Sequence, residues 1–297
     1  MNRSSNFEET ITHFVRDVLR LPLCLVGIIA NVVIIVCIKR FHCLHVARNY
    51  LVASLAFLDT TLCVFDLFRI IDKELFLHDI SPIAHCYIYG ITNALTNVEL
   101  GHLVVIAFER FIYIQMPFTY SNLTKTMYLI AIALTWILPI IYRMLVQYFI
   151  ACNFDKFVQG ALFFMVEFIA TLVVVTVLYS KIFCVTLGHI KRIDSRMTKK
   201  SYSKEFALLK GYLWIVGTTL LSCAFGVVNA FFQFFWPSRN LYILRLVTGL
   251  SLTAHCAINP MIYYATQKTF RDSVLNLLLT NFIARSLKLT ELEYSPR

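Results

Sequence analysis

The composition of this 297-residue chain excludes most classes of soluble protein. Its residues are 59% hydrophobic and 15% charged, and its mean hydropathy is +0.70. Soluble domains are about 45–50% apolar and about 25% charged, so we expect most of this apolar surface to face lipid. The formal charge of +10 at pH 7 then indicates no nucleic-acid partner, because basic residues gather in the cytoplasmic loops of membrane proteins.

Seven apolar segments are long enough to cross a bilayer as helices. They are residues 20–38, 49–70, 84–114, 127–149, 160–187, 207–236 and 241–264. No alternation of period two favours a β-barrel, and no internal repeat or linker divides the chain. We therefore predict an all-α membrane protein, a seven-helix bundle forming a single domain over residues 1–297.

The distribution of basic residues predicts how these segments are oriented in the membrane. If the N-terminus is outside, 17 of the 27 Lys and Arg residues fall in the inner segments 39–49, 111–126, 180–210 and 265–297. This distribution follows the positive-inside rule. We expect a multi-pass plasma-membrane protein with residues 1–19 extracellular, a helix bundle over 20–264 and a cytoplasmic tail over 265–297.

Two acidic residues, Asp59 and Glu99, lie near the middle of the second and third segments. A charge in lipid is costly, so each intramembrane ionisable group is a candidate functional site. His255 and Asn259 are four residues apart in the seventh segment and share a helix face. We expect all four side chains to point into one polar core. The alternative is that Glu99 turns away and hydrogen-bonds to a neighbouring helix.

Three charged residues, Asp66, Arg69 and Arg143, lie near the outer ends of their predicted helices. Two interpretations stay open for them. They either face the polar interior of the bundle or extend along the helix to the lipid headgroups.

Short motifs then occur in order along the chain. They are Gly27 with Asn31-Val32, Asn49-Tyr50-Leu51, Leu55-Ala56-Phe57-Leu58-Asp59, Glu109-Arg110-Phe111 and Asn259-Pro260-Met261-Ile262-Tyr263. Together with Trp136 and Tyr179, they resemble the motifs of the rhodopsin-like (class A) G-protein-coupled receptors. The resemblance covers nearly the whole chain, and Phe270-Arg271 opens a segment similar to the family's short amphipathic helix after the seventh span.

The sixth segment departs from the family pattern. The family carries a CWxP motif there, whereas this chain has Cys223-Ala224-Phe225-Gly226. Thr171 also stands in place of the usual proline of the fifth span. A glycine weakens a helix less sharply than a proline. These departures leave a second interpretation open, a ligand-binding receptor that couples weakly or not at all to a G protein.

The resemblance implies an extracellular ligand in the outer half of the bundle and a heterotrimeric G protein at the inner half. It assigns coupling and activation to Glu109, Arg110, Phe118, Tyr179, Pro260 and Tyr263. Arg110 would pair with Glu109 in the inactive state and turn toward the partner in the active state. Cys86 and Cys152 resemble the cysteines whose disulfide joins the third span to the following outer loop. The basic residues between 181 and 210 also favour anionic membrane lipids.

The expected ligand pocket is lined by Thr92, Thr96, Arg143, Gln147, Phe163, Glu167 and Arg245. Thr92 stands where amine receptors of the family carry an aspartate, which argues against a simple biogenic amine. Thr253 stands where opsins carry a lysine, so retinal is not expected. The mixed charge of the pocket favours a short peptide or a zwitterionic small molecule.

The resemblance also places Asp59 and Asn259 in an allosteric sodium pocket, and Glu99 stands where a small hydroxyl residue is more usual. We therefore expect Asp59, Glu99, His255 and Asn259 to form a cation or proton site, with sodium at Asp59 as the one candidate ion and no other cofactor. Two neighbouring carboxylates in a low dielectric need a cation or a proton between them.

Other function classes have less support. A transporter would show an internal repeat or broken helices, and a channel would show a ring of like charges. No nucleophile–base pair, metal motif or phosphate-binding loop indicates an enzyme.

Overall fold

The structure, a computed structural model, describes residues 3–75, 82–146, 157–192, 199–236 and 241–279. Almost all of these residues are in α-helices, and none of them is in a strand. The helices are α1 (Arg3–Arg40), α2 (Asn49–Leu75), α3 (Pro82–Gln115), α4 (Pro117–Ser121), α5 (Lys125–Val146), α6 (Phe157–Arg192), α7 (Lys199–Phe235) and α8 (Tyr242–Thr266). A 3₁₀ turn, His42–Leu44, follows α1, and residues 268–279 are helical after α8.

Within the part of the chain that the structure describes, six helices contain a stretch that is long and apolar enough to cross a membrane. These stretches are Val18–Arg40, Asn49–Ile71, Gly90–Gln115, Lys125–Val146, Met165–Val185 and Leu213–Phe232. The seventh long helix, α8, has 25 residues, or about 38 Å at 1.5 Å per residue, which exceeds the hydrocarbon thickness of about 30 Å. It is more polar because its inward face carries buried Thr248, Thr253, His255 and Asn259.

Several helices extend beyond the apolar segments that predicted them. α1 begins at Arg3, well before residue 20, and α6 and α7 run past their predicted ends to Arg192 and back to Lys199. Hydropathy marks the lipid-embedded part of a helix. The helix itself continues into polar flanks because each added residue contributes another backbone hydrogen bond once the helix is nucleated.

α3 is the central helix of the bundle. It contacts α2, α5 and α6, while α8 contacts α1, α2 and α7. The apolar stretch of α3 is 61% buried, against 11% for that of α5, so α5 lies at the periphery. Trp136 of α5 donates its indole N–H to Ser54 Oγ of α2 at 2.9 Å, and that oxygen lies 2.8 Å from His102 Nε2 of α3.

α1 approaches α2 and α8 closely at Gly27. A Cβ atom at this position would lie 2.6 Å from Cys63 Sγ and 3.7 Å from the backbone nitrogen of Ala257. Four residues later, Asn31 Nδ2 donates to the carbonyl oxygens of Gly27 and Cys256, each at 2.9 Å. A side chain at residue 27 would therefore have to displace the Cys63 thiol, and the asparagine links α1 to α8.

Candidate functional site

The mid-membrane acids lie in one polar core, as their sequence positions indicated. Asp59, Glu99 and His255 come from α2, α3 and α8 and are 0%, 1% and 2% exposed. His255 Nε2 lies 2.5 Å from Glu99 Oε1, so Glu99 points toward α8 within this core. Asn259 Nδ2 donates to Asp59 Oδ2 at 2.9 Å. A buried carboxylate needs such partners because an unpaired charge is costly in a low dielectric.

Cys256 belongs to the same core, although its sequence position did not single it out. Its Sγ lies 3.5 Å from His255 Nε2, and one donor atom from each of Asp59, His255 and Cys256 lies within 4.8 Å of the other two. Sodium is a hard cation, and hard cations take oxygen ligands. The nitrogen and sulfur donors beside Asp59 are softer than the oxygen ligands that sodium takes.

A cavity of about 300 Å³ opens above this core, on the side that the sequence predicts to be extracellular, and is called the outer cavity below. Its floor includes Glu99 and His255, and its walls include Thr92, Thr96 and Arg245. These three wall residues were expected in the ligand pocket. Asp66 and Arg69 also line the cavity, so they face the bundle interior.

Arg20, the first residue of the first predicted span, also lines the outer cavity. It is buried, its Nη2 lies 2.5 Å from Asp66 Oδ2, and its Nε donates to Thr253 Oγ1 at 3.1 Å. Thr253 in turn donates to Asp66 Oδ2 at 2.7 Å. Asp66 itself was the indication of such a partner, because a carboxylate inside a helix bundle needs a cation nearby.

Two other expected pocket residues, Arg143 and Glu167, do not line this cavity. Arg143 of α5 is 4% exposed, and its Nη2 donates to Glu167 Oε2 of α6 at 2.8 Å. Asn97 Nδ2 of α3 donates to the same oxygen at 2.6 Å. Arg143 therefore extends to a carboxylate inside the bundle and not to the headgroups. Gln147 lies outside the described residues, as does the side chain of Phe163.

The inner end of α3 holds a second ionic cluster. Arg110 Nε lies 2.6 Å from Glu109 Oε2, and both residues are buried. The hydroxyls of Tyr120 and Tyr128 donate to Glu109 Oε1 at 3.2 and 3.3 Å. Burial and the neighbouring Glu109 carboxylate raise the pKa of the Tyr120 hydroxyl, so this group stays protonated and able to donate.

The remaining residues expected to act in coupling lie in three places. Tyr179 and Tyr263 are buried, and Tyr263 packs against Phe270 with ring centroids 5.7 Å apart. Pro260 lies inside α8. Phe118 in α4 is 87% exposed, so in this structure it is available to an external surface.

The expected disulfide cannot be located in the structure. Cys86 lies in α3, with its side chain outside the described set, and Cys152 lies outside the described residues.

Comparison with known proteins gives the family. The family described as "7 transmembrane receptor (rhodopsin family)" matches residues 30–263, most of the chain. The chain belongs to this rhodopsin family of seven-transmembrane receptors. The receptor is 25% identical over 299 residues to human trace amine-associated receptor 8, covering 86% of this chain and 83% of that protein.

Two mouse proteins are similarly related. The receptor is 26% identical to trace amine-associated receptor 8b of Mus musculus, covering 88% of this chain and 84% of that protein. It is 24% identical to trace amine-associated receptor 1 of the same species, covering 86% of each. Members of this family are multi-pass plasma-membrane receptors and not enzymes; they respond to extracellular ligands and act through heterotrimeric G proteins.

Proposed function

We propose that this receptor binds a small zwitterionic molecule in the outer cavity and then activates a heterotrimeric G protein at its inner face. The N-terminus is extracellular and the C-terminus cytoplasmic in this proposal. The distribution of Lys and Arg between the loops supports that orientation.

The proposal of a zwitterionic ligand rests on the charges around the outer cavity. Among the described lining residues, three arginines stand against two carboxylates, those of Asp66 and Glu99. Arg20 pairs with Asp66, and His255 pairs with Glu99. Arg69 also lies 4.0 Å from Asp66, and with Arg245 the three arginines outnumber the two carboxylates, which gives the lining a positive excess. Such an excess in a partly enclosed site attracts a carboxylate.

The ammonium group of a zwitterion would also have a binding partner in this cavity. The side chain of Asp66 is 15% exposed and lines the cavity, so a ligand ammonium group can approach this residue. The cavity volume of about 300 Å³ lies at the lower end of ligand pockets. This size favours a single small molecule over a peptide of several residues.

An amine without a carboxylate is the second candidate, because the relatives are named trace amine-associated receptors. A simple amine would bring a further positive charge to a lining that already holds three arginines. Thr92 supplies no carboxylate where the sequence pattern of amine receptors has an aspartate. These two features favour the zwitterion.

Matched pairs of ligands test whether the receptor prefers a zwitterion or a simple amine. Cells that express the receptor with a promiscuous G protein are exposed to free amino acids and to the amines formed by their decarboxylation. We expect amino acids to act at concentrations at least about tenfold lower than their amines, the effect of about 1.4 kcal/mol. Equal or higher potency of the amines would instead establish the second candidate.

A substitution in the cavity wall identifies the group that the carboxylate contacts. Arg245→Ala should abolish most of the difference between each amino acid and its amine, and Arg245→Lys should retain part of it because the charge stays. The amine of each pair controls for altered folding or surface expression. If the ratio of amino-acid potency to amine potency is unchanged in both variants, Arg245 is excluded as the partner of the ligand carboxylate.

The inner ionic cluster supports the coupling part of the proposal. Arg110, held by Glu109 at 2.6 Å, is a charged group near the cytoplasmic side that a partner with acidic or carbonyl groups would bind. The alternative is weak coupling, because α7 contains no proline to concentrate bending. Agonist-dependent dissociation of G-protein subunits, measured for each G-protein class, separates the two. Ligand binding without dissociation in any class would favour the alternative.

A further inference from the structure

The mid-membrane core contains a convergent set of metal-ligating side chains. A carboxylate oxygen of Asp59, a ring nitrogen of His255 and the Sγ of Cys256 all lie within 4.8 Å of one another. All three residues are buried. Among the described residues, no other group of three or more His, Cys, Asp or Glu side chains has this arrangement.

We propose that Asp59, His255 and Cys256 bind a transition-metal ion of borderline softness, of the kind that zinc represents, in place of sodium. Zinc is bound in proteins by Cys sulfur, His nitrogen and Asp or Glu oxygen, usually with four ligands. Carboxylates, carbonyls and water suit hard cations, whereas imidazole and thiolate select softer metals. The donor set therefore favours zinc over an alkali cation.

Glu99 supplies the fourth ligand. Its Oε1 lies 2.5 Å from His255 Nε2, so a metal ion at this nitrogen also lies within reach of the carboxylate. In a tetrahedral zinc site, with metal–ligand bonds of about 2.0–2.3 Å, the donor atoms are about 3.5 Å apart. To reach that spacing, the separations of up to 4.8 Å among the three side chains must shorten and the 2.5 Å separation of Glu99 and His255 must widen, each by about 1 Å.

The charges of this site also favour a divalent ion. Two carboxylates, those of Asp59 and Glu99, are both buried here, and a divalent cation compensates both of their charges, so that only the charge of the Cys256 thiolate remains on the loaded site. Binding displaces the proton that Glu99 and His255 share and the thiol proton of Cys256, because metal ligands must be deprotonated. Both protons leave to the water of the outer cavity.

The outer cavity provides an entry path for the ion. Glu99 and His255 form part of its floor, below Thr92 and Thr96. An ion that enters from the extracellular side therefore meets two of its four ligands first. Because the ligands come from α2, α3 and α8, the bound ion links three helices and stabilises the folded bundle.

Metal content and thermal stability test this site on the full-length receptor in detergent or nanodiscs. The receptor is treated with chelator, incubated with zinc, sodium or magnesium chloride, desalted, and measured for bound metal and for melting temperature. We expect one equivalent of zinc to be retained and the melting temperature to rise with micromolar zinc, since a ligand of the native state stabilises it. Sodium and magnesium should have no such effect.

Two variants test whether zinc binds through these ligands. Cys256→Ser preserves the size of the side chain but removes the sulfur donor, and His255→Asn removes the nitrogen donor. Each should weaken zinc binding at least tenfold. Cys37→Ser is the matched control, because Cys37 is also fully buried but lies outside the cluster, and it should bind zinc as the parent does.

Three results would overturn the proposal. The first is that the parent receptor retains no zinc. The second is that Cys256→Ser and His255→Asn bind zinc as well as the parent does. The third is that sodium stabilises the receptor more than zinc does. If His255→Asn does not fold, Cys256→Ser decides alone, since this nearly isosteric change leaves the Glu99–His255 pair in place.

Discussion

Arg20 and Asp66 form a largely buried ion pair between α1 and α2, with Arg20 Nη2 2.5 Å from Asp66 Oδ2. Thr253 of α8 hydrogen-bonds to both residues. Three helices therefore meet at one charged contact in the wall of the outer cavity. Removing one member of such a pair leaves the other charge buried and unmatched, which is more costly than the pair itself is stabilising.

We predict that Arg20→Leu lowers the stability of the receptor by about 3 kcal/mol. The Asp66 carboxylate would keep only the hydroxyl of Thr253 and the more distant Arg69, whose Nη1 lies 4.0 Å away. The measurement is the melting temperature of the purified receptor. The double variant Arg20→Leu/Asp66→Leu should recover most of the loss, and a double variant as unstable as the single one would contradict this account.

Arg110 should be required for coupling and not for ligand binding. It is buried beside Glu109 at the inner end of α3, whereas the outer cavity lies above Glu99. These two positions are 11 residues apart, or about 16 Å along the helix. Arg110→Ala at equal surface expression should reduce agonist-induced second messenger severalfold and leave agonist affinity within about twofold, a free-energy difference of about 0.4 kcal/mol. Unchanged signalling would refute the role of this cluster.

The hydroxyl of Tyr128 should help to hold Glu109 in place. It donates to Glu109 Oε1 at 3.3 Å, and a hydrogen bond to a charged group contributes about 1.5–3 kcal/mol. If the closed Glu109–Arg110 pair belongs to the inactive state, Tyr128→Phe should raise agonist-independent signalling. Basal second messenger per surface receptor is the readout, and Tyr142→Phe, on the outer half of α5, is the control. Equal basal activity in the two variants would show that Tyr128 does not restrain the pair.

Gly27 should not tolerate a methyl group. A Cβ atom there would lie 2.6 Å from Cys63 Sγ, whereas one at Gly217 in α7 would meet no atom within 4 Å. Overpacking typically costs about 1–3 kcal/mol, so Gly27→Ala should lower the melting temperature. Gly217→Ala should leave it unchanged or raise it, because alanine favours a helix interior by up to about 1 kcal/mol. Similar effects at both positions would mean that α1 does not pack as described.

Cys86 and Cys152 should form a disulfide bond. The prediction rests on the resemblance and on their expected positions at the extracellular side, which is oxidising. Replacing either by serine should destabilise the receptor by about 2–5 kcal/mol. Peptide mapping without reduction gives a direct answer, and two free thiols in the mature receptor would contradict the prediction.

The sequence predicted the helices and the central residues of the core well. Lipid contact depends on each residue's own hydrophobicity, so apolar segments mark the spans without knowledge of their neighbours. The four-residue spacing of His255 and Asn259 likewise fixes a common face within one helix. Asp59 and Glu99 belong to this core because polar groups in lipid must turn toward other polar groups.

The pairing between helices was harder to predict. Arg143 and Glu167 were both expected in the ligand pocket, but they pair with each other between α5 and α6. Which face of one helix meets which face of another depends on helix rotation and on close contacts such as that at Gly27. Spacing within a single helix carries no such information. Cys256 was missed for the same reason, since its role depends on Asp59 of another helix.

The hydrogen bond from Trp136 to Ser54 gives the receptor an intrinsic optical probe. The chain has three tryptophans, and the other two, Trp214 and Trp236, are exposed on the helix bundle surface. Replacing those two by phenylalanine leaves a single indole, whose N–H contacts α2 and whose ring lies edge-on to His102 of α3, with centroids 6.1 Å apart. The fluorescence of that variant would report any change in the separation of these helices without an attached dye.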